Sequence, residues 1–332
     1  MSICPYGLSM AIKITDQDRL LVKAARLYYE QGLTQVQISK RLRLSRQKVQ
    51  RLLQTARNQG IVQISIRPIM GIIPELETSL EQRFGLQEAV IVETTTYEDQ
   101  ETVAREVGAG AAEYILRVMQ PGDSVVISWG GTLRGMVNSL SASALRNQFD
   151  GLKVIQGLGG LGNPNNETHA ADLTRRLARI LDGQGILMPA PGIAGNRSAR
   201  EAFYSDPYVI KALEQAAQAD LAIMGIGAPR SDSILIQEGN IVTWPELAAL
   251  ADLGAVGDIN LRYFDSLGQH VASDLDDRVI GLTLNDIKQI KHVVGIAGGS
   301  AKLKAIEATL EGKLVDVLVT DHIMAQNLLE SN

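Results

Sequence analysis

Apolar residues recur at spacings of three and four between residues 34 and 53, and beyond residue 74 they gather into short runs separated by amphipathic stretches. The first pattern is helical and the second is that of buried strands alternating with helices. In the segment 34–53, Thr34 caps a first helix through its hydroxyl, with Val36, Ile38 and Leu42 as its apolar face. Ser45 caps a second helix, where Val49, Leu52 and Leu53 face the same small core. Arg46, Gln47, Gln50 and Arg51 remain on the outward side. After this pair, Gly60-Ile-Val-Gln-Ile-Ser-Ile-Arg67 alternates apolar and polar residues behind a glycine turn, the pattern of a short strand such as the wing of a winged helix-turn-helix.

The run Pro68-Ile-Met-Gly-Ile-Ile-Pro74 breaks both periodicities and predicts two domains, 1–70 and 71–332. In the second, the pattern predicts strands over 89–93, 124–129, 153–156, 186–189, 221–225, 257–264, 292–297 and 316–320. Helices are predicted over 98–119, 132–145, 168–181, 207–217, 300–311 and 321–330, with Pro207 a good start signal for one of them. Such alternation predicts an α/β fold, a doubly wound parallel sheet covered on both faces, whose ligands settle beyond the carboxyl ends of the strands.

Charge turns the first pattern from a solvated helical hairpin into a candidate DNA-binding head. Residues 1–68 hold 12 Lys/Arg against 3 Asp/Glu, leaving 20 against 34 in the rest of a chain whose net charge is −5. One strongly basic end on an acidic protein is the electrostatic footprint of a nucleic-acid module attached to something else. Arg46, Gln47 and Gln50 are the side chains expected at base edges of double-stranded operator DNA. Lys48, Arg51 and Arg57 are expected on phosphates, with Thr34, Gln35 and Ser45 completing the contact set at the two helix starts. No apolar stretch is long enough for a bilayer, the first residues lack a secretion signal, and Cys4 is the only cysteine, so a cytoplasmic protein without membrane contact is expected. The four histidines are scattered, with no i,i+4 pair, and neither a metal nor a cofactor is expected.

Candidate chemistry lies in glycine-rich turns at strand ends. They are Ser128-Trp-Gly-Gly-Thr132, Gly157-Leu-Gly-Gly-Leu-Gly162, Gly225-Ile-Gly-Ala228, Gly254-Ala-Val-Gly-Asp258 and Gly298-Gly-Ser-Ala-Lys302. Backbone N–H groups at a helix start, with no Cβ in the way, make an anion site, and Lys302 adds a full charge to it. A tight strand-to-helix turn also needs glycine for steric reasons alone, but five at one topological position favour a ligand. None of these turns matches the Walker pattern, and no Gly-x-Gly-x-x-Gly follows the first strand, so nucleotide and dinucleotide readings are poor. Asp258 and Asn260 alternate on one face of the predicted 257–264 strand, a pair suited to sugar hydroxyls.

Taken together, Ala25-Arg-Leu-Tyr-Tyr-Glu-Gln-Gly-Leu-Thr-Gln35, Ile127-Ser-Trp-Gly130, Gly159-Gly160, Gly225-Ile-Gly227, Ala255-Val-Gly-Asp-Ile259 and Ala297-Gly-Gly with Lys302 closely resemble the SorC family of bacterial sugar-responsive transcriptional regulators. The resemblance runs from about residue 20 to the end. It implies an effector domain similar in fold to ribose-phosphate isomerases, glucosamine-phosphate deaminases and CoA transferases. It also implies tetramers assembled as dimers of dimers, phosphorylated sugars as inducers and no catalysis. The matching effector positions are Gly130, Gly131, Thr132, Gly159, Gly160, Asp258 and Lys302, with Asn260 where members vary. Gly130-Gly-Thr132 departs from the family's frequent Gly-Thr-Thr and removes one hydroxyl. The rival reading is a sugar-phosphate isomerase or deaminase with a regulatory head, for which Asp258 is the one carboxylate with an argued place in the pocket.

Overall fold

A computed structural model describes residues 15–62, 73–145, 148–161, 170–230, 236 and 242–331. The chain divides into two compact units, Met1–Arg67 and Pro68–Asn332. In the smaller unit three helices, α1 (Asp16–Tyr29), α2 (Gln35–Leu42) and α3 (Arg46–Asn58), surround a core of Leu21, Leu27, Ile38, Val49, Leu52 and Leu53. Both predicted caps form. The Thr34 hydroxyl accepts from the Gln37 N–H at 3.3 Å while Gln37 reaches back to the Thr34 N–H at 2.9 Å, and Ser45 accepts from the Lys48 N–H at 3.2 Å. Arg43, at φ 56°, ends α2 in the left-handed conformation and starts the short turn into α3. Val36 departs from expectation: it is 46% exposed, and Ile38 holds the core position instead. Ile38 is fully buried, so truncation to Ala would cost about 2–5 kcal/mol, much of what so small a core supplies. The predicted wing strand at 60–67 falls mostly outside the described residues.

The larger unit carries a parallel sheet in the order β1-β9-β8-β5-β2-β3-β4. Its strands are β1 (Glu88–Val92), β2 (Ser124–Ile127), β3 (Lys153–Gln156), β4 (Gln184–Ile186), β5 (Leu221–Gly227), β8 (Val293–Ile296) and β9 (Val317–Asp321). These are apolar throughout because both faces are covered. One face packs under α4 (Pro74–Phe84) and the helices Leu303–Glu311 and His322–Glu330; the other packs under α5 (Gln100–Val118), α6 (Gly131–Ser139) and the helix Ala170–Ile180. Helices α5 and α6 approach so closely that a Cβ on Gly108 would lie 2.5 Å from the Met136 nitrogen, and one on Gly135 would lie 2.6 Å from the Ala104 carbonyl. Two glycines thus bring both helix starts to the same end of the sheet.

The predicted strand over 257–264 is instead a hairpin, β6 (Gly257–Ile259) and β7 (Arg262–Phe264), added antiparallel to the end of β5. Asn260 and Leu261 form its turn at φ 59° and 61°. A buried leucine in that conformation costs of order 1 kcal/mol. Packing of Leu261 among Leu158, Leu247, Leu250 and Tyr263 offsets this with about 1.5–3 kcal/mol. Arg262, also buried, fastens the hairpin: its guanidinium donates to the carbonyls of Asp276 (3.1 Å), Val279, Gly281 and Leu282 (each 3.3 Å) and to the Asp276 carboxylate (2.6 Å).

Candidate functional site

A cavity of about 560 Å³ opens beyond the carboxyl ends of β2, β5 and β8, where such sheets hold ligands. Three helix starts converge on it: Gly130–Thr132 at α6, Gln100 and Glu101 at α5, and Ser300–Lys302 ahead of the helix Leu303–Glu311. The first N–H groups of a helix have no partner within it, so the convergence is anion-seeking. Gly130, at φ 123°, aims the chain into α6 by a turn closed to residues with a Cβ. Lys302 closes a 3₁₀ turn rather than lying one turn inside an α-helix, the placement that the sequence suggested.

Asp258 lies against Gly227, where a Cβ would approach its Oδ1 to 2.1 Å; only glycine admits the carboxylate there. Burial pushes the Asp258 carboxyl up to about 6, opposed by the Leu261 N–H at 3.1 Å and the positive charge of Lys302. The Lys302 ammonium is driven down to about 8 by burial, opposed by Asp258. Each charge is expensive alone and partly compensated by the other.

Asn260 also lines the cavity, but its amide is already engaged. Nδ2 donates to the carbonyls of Gly157 (2.9 Å) and Leu282 (3.3 Å), and Oδ1 accepts from the Ser128 hydroxyl at 3.1 Å. It ties the ends of β2 and β3 to the hairpin and contributes wall, not free donors. Gly159 and Gly160 lie outside the cavity lining. Their N–H groups donate to the carbonyls of Ile280 and Ala190, each at 2.9 Å, and a Cβ on Gly159 would lie 2.3 Å from the Pro191 oxygen. That glycine pair serves close backbone packing. Sequence reasoning missed Trp129, Arg134, Arg230, the α5 residues Gln100 and Glu101, and Glu98 just ahead of that helix as lining residues. The expected helix start near residue 98 was the available signal for the last three.

In the smaller unit, Arg46, Gln47, Lys48, Gln50 and Arg51 are exposed along α3. Thr34, Gln35 and Arg46 border one shallow concavity together with the exposed Val36. The hydroxyls of Thr34 and Ser45 are used as caps. Arg57 is exposed but tethered, its Nε donating to the Tyr29 hydroxyl at 2.6 Å with the guanidinium 5.6 Å from the ring centroid.

Residues 72–330 match the Sugar-bind family model, described as "Putative sugar-binding domain". The chain belongs to this sugar-binding family, in the SorC-type branch of transcriptional regulators. It is 31% identical over 314 residues to the deoxyribonucleoside regulator of Bacillus subtilis, a match covering 95% of this chain and 98% of that one. With the sorbitol operon regulator of Klebsiella pneumoniae it shares 30% over 322 residues, 95% and 99% of the two chains. The crystal structure of that full-length regulator, SorC, superposes with a TM-score of 0.71 at 30% identity, covering 95% of this chain and all of that one. A DeoR family regulator from Listeria monocytogenes gives 0.70 at 27% identity over 77% of this chain and 98% of its own. The chain is accordingly a DNA-binding transcriptional regulator of the carbohydrate-responsive type.

Proposed function

We propose that the smaller unit grips operator DNA through α3 while the larger unit senses a phosphorylated sugar, each change in occupancy of the cavity altering operator affinity. The observation that carries this is the meeting of three helix starts with Lys302 and Asp258 in one cavity of sugar-phosphate size. The phosphate sits on the amides of Gly130–Thr132 beside Lys302, with Arg134 in reach of the same end of the cavity. Asp258 accepts from hydroxyls, as do Glu98 and Glu101, and Asn260 shapes the wall. Arg46, Gln47 and Gln50 address base edges; Lys48 and Arg51 address phosphates. Occupancy needs a coupling of only about 1–3 kcal/mol to change operator affinity 5–150-fold. The regulator works in the cytoplasm as a homo-oligomer, a tetramer built from two dimers, so that ligand binding alters the spacing of paired heads.

The test is a melting screen of the full chain with pentose and hexose phosphates and their unphosphorylated parents. A cognate ligand at 100 times its dissociation constant stabilises by about 2.7 kcal/mol. A shift with the parent sugars and none with the phosphates removes the anion assignment. The isomerase or deaminase alternative draws on Asp258, whose carboxyl near 6 suits a general base, although among the described residues no histidine lines the cavity. Product formation during incubation with those phosphates would favour it; binding without turnover is the expected result.

A further inference from the structure

Asp321 is a fully buried carboxylate that no ion pair accounts for among the described residues. It closes β9 and caps the helix His322–Glu330, its Oδ1 accepting from the Met324 N–H at 2.7 Å. A cap alone needs one oxygen, and a serine would supply it from the surface. The second oxygen, Oδ2, crosses to the end of the neighbouring strand and accepts from the Gly299 N–H at 2.8 Å. It also packs on Gly298, where a Cβ would lie 2.4 Å from it. Gly299 is held at φ 90°, and the Gln100 amide fixes the same loop by donating to the Gly298 carbonyl at 3.1 Å. Three residues later the loop delivers Lys302 to the cavity.

We infer that Asp321 is a positioning residue for the effector site: from behind the loop it locks Gly298–Gly299 into the one conformation that presents Lys302 and the Ser300–Lys302 turn to a bound phosphate. The inference rests on the phosphorylated-sugar function proposed above. Asp321 touches no ligand. Its carboxylate keeps the Gly299 N–H out of the cavity and sets the turn before a ligand arrives, so that binding does not have to order it. The buried carboxyl is accommodated because it faces the start of a helix and two N–H donors.

Asp321→Asn removes one of the two contacts, because an amide has one acceptor oxygen where the carboxylate has two. It keeps either the Met324 cap or the Gly299 contact. Asp321→Ser keeps the cap and cannot reach Gly299, and serves if the amide variant folds poorly. Calorimetry on the full chain uses ribose 5-phosphate, glucitol 6-phosphate and inorganic phosphate as probes, with ribose and glucitol as neutral controls. Affinity for the phosphate that binds the wild type should fall about tenfold, equivalent to ~1.4 kcal/mol, while any binding of the neutral sugar changes little. Amide hydrogen exchange at Gly299–Lys302 in the ligand-free protein reads the loop directly and should quicken in Asp321→Ser, which cannot hold the Gly299 N–H. Unchanged exchange together with unchanged phosphate affinity in Asp321→Ser overturns the inference. A wild type that binds none of the phosphates overturns the proposed function instead, and exchange still decides whether Asp321 sets the loop.

Discussion

Replacing Asp258 by Asn should stabilise the ligand-free protein at neutral pH. The folded carboxyl titrates near 6 against 3.8 in an unfolded chain, so ionising it inside the fold costs about 3 kcal/mol. That cost is absent below pH 4, where both states are protonated. It grows as pH rises through the 4–6 window and is complete at pH 7. Asparagine has nearly the same shape and stays neutral throughout, so the advantage of the variant follows the same curve. The Leu261 N–H and the charge of Lys302 already oppose burial in that value, so the whole of about 3 kcal/mol is recovered at pH 7, or about 6–12 °C in melting temperature at 2–4 °C per kcal/mol. The assay compares melting of the two ligand-free full-length proteins at pH 4, 5, 6 and 7. Lys302 loses its counter-charge in the variant, so its deprotonation should move further below 8. A gap between the two proteins that stays constant from pH 4 to 7 would refute the claim that burial holds this carboxyl up.

Arg46→Ala or Gln47→Ala should cost roughly 1–3 kcal/mol at the operator and relax discrimination between sites in a competition assay; an equal loss on every DNA would assign these side chains to phosphates. Lys302→Ala should weaken phosphorylated sugars in calorimetry far more than their neutral parents, and equal losses would remove the phosphate from that end of the cavity. Arg57→Ala and Tyr29→Phe should lower the stability of the head by similar amounts, about 1 kcal/mol, because they share one contact. Non-additive loss in the double variant, read by denaturation, checks that pairing. Gly159→Ala should destabilise the larger unit through the clash with Pro191, while whatever protein folds still binds effector with wild-type affinity.

The head was legible because its contacts are local: caps, heptad-like spacing and charge all lie within one short segment. Val36 was misplaced because a short helix offers few core positions, and Ile38 fills the one that is fully buried. The central strands announced themselves as apolar runs, since a sheet covered on both faces leaves no polar side to blur them. The 257–264 hairpin was hidden because its turn uses Asn260 and Leu261, without the glycine that ordinarily marks such a reversal. The helix Trp244–Asp252 was readable, with Thr243 and Glu246 forming a capping box and Pro245 in its first turn, and went unremarked. Gly159 and Gly160 look in sequence like any other anion loop. Their N–H groups are taken by the carbonyls of Ile280, some 120 residues from Gly159, and Ala190, 30 residues from Gly160, which no local pattern discloses. The cavity residues legible in the sequence come from loops following predicted strands, while Glu98, Gln100 and Glu101 belong to a helix start that carries no glycine to mark it as an anion turn.

The position of β9 has a consequence for how this regulator is made. Glu88 must wait for Val317, because β9 threads between β1 and β8 and completes the sheet only when the last strand leaves the ribosome. The three-helix head needs nothing past residue 62 for its described core. During synthesis the head can therefore fold well before the sheet of the larger unit is complete. A message cut short before Val317 yields a product whose three-helix head can still fold while its sheet is left open between β1 and β8.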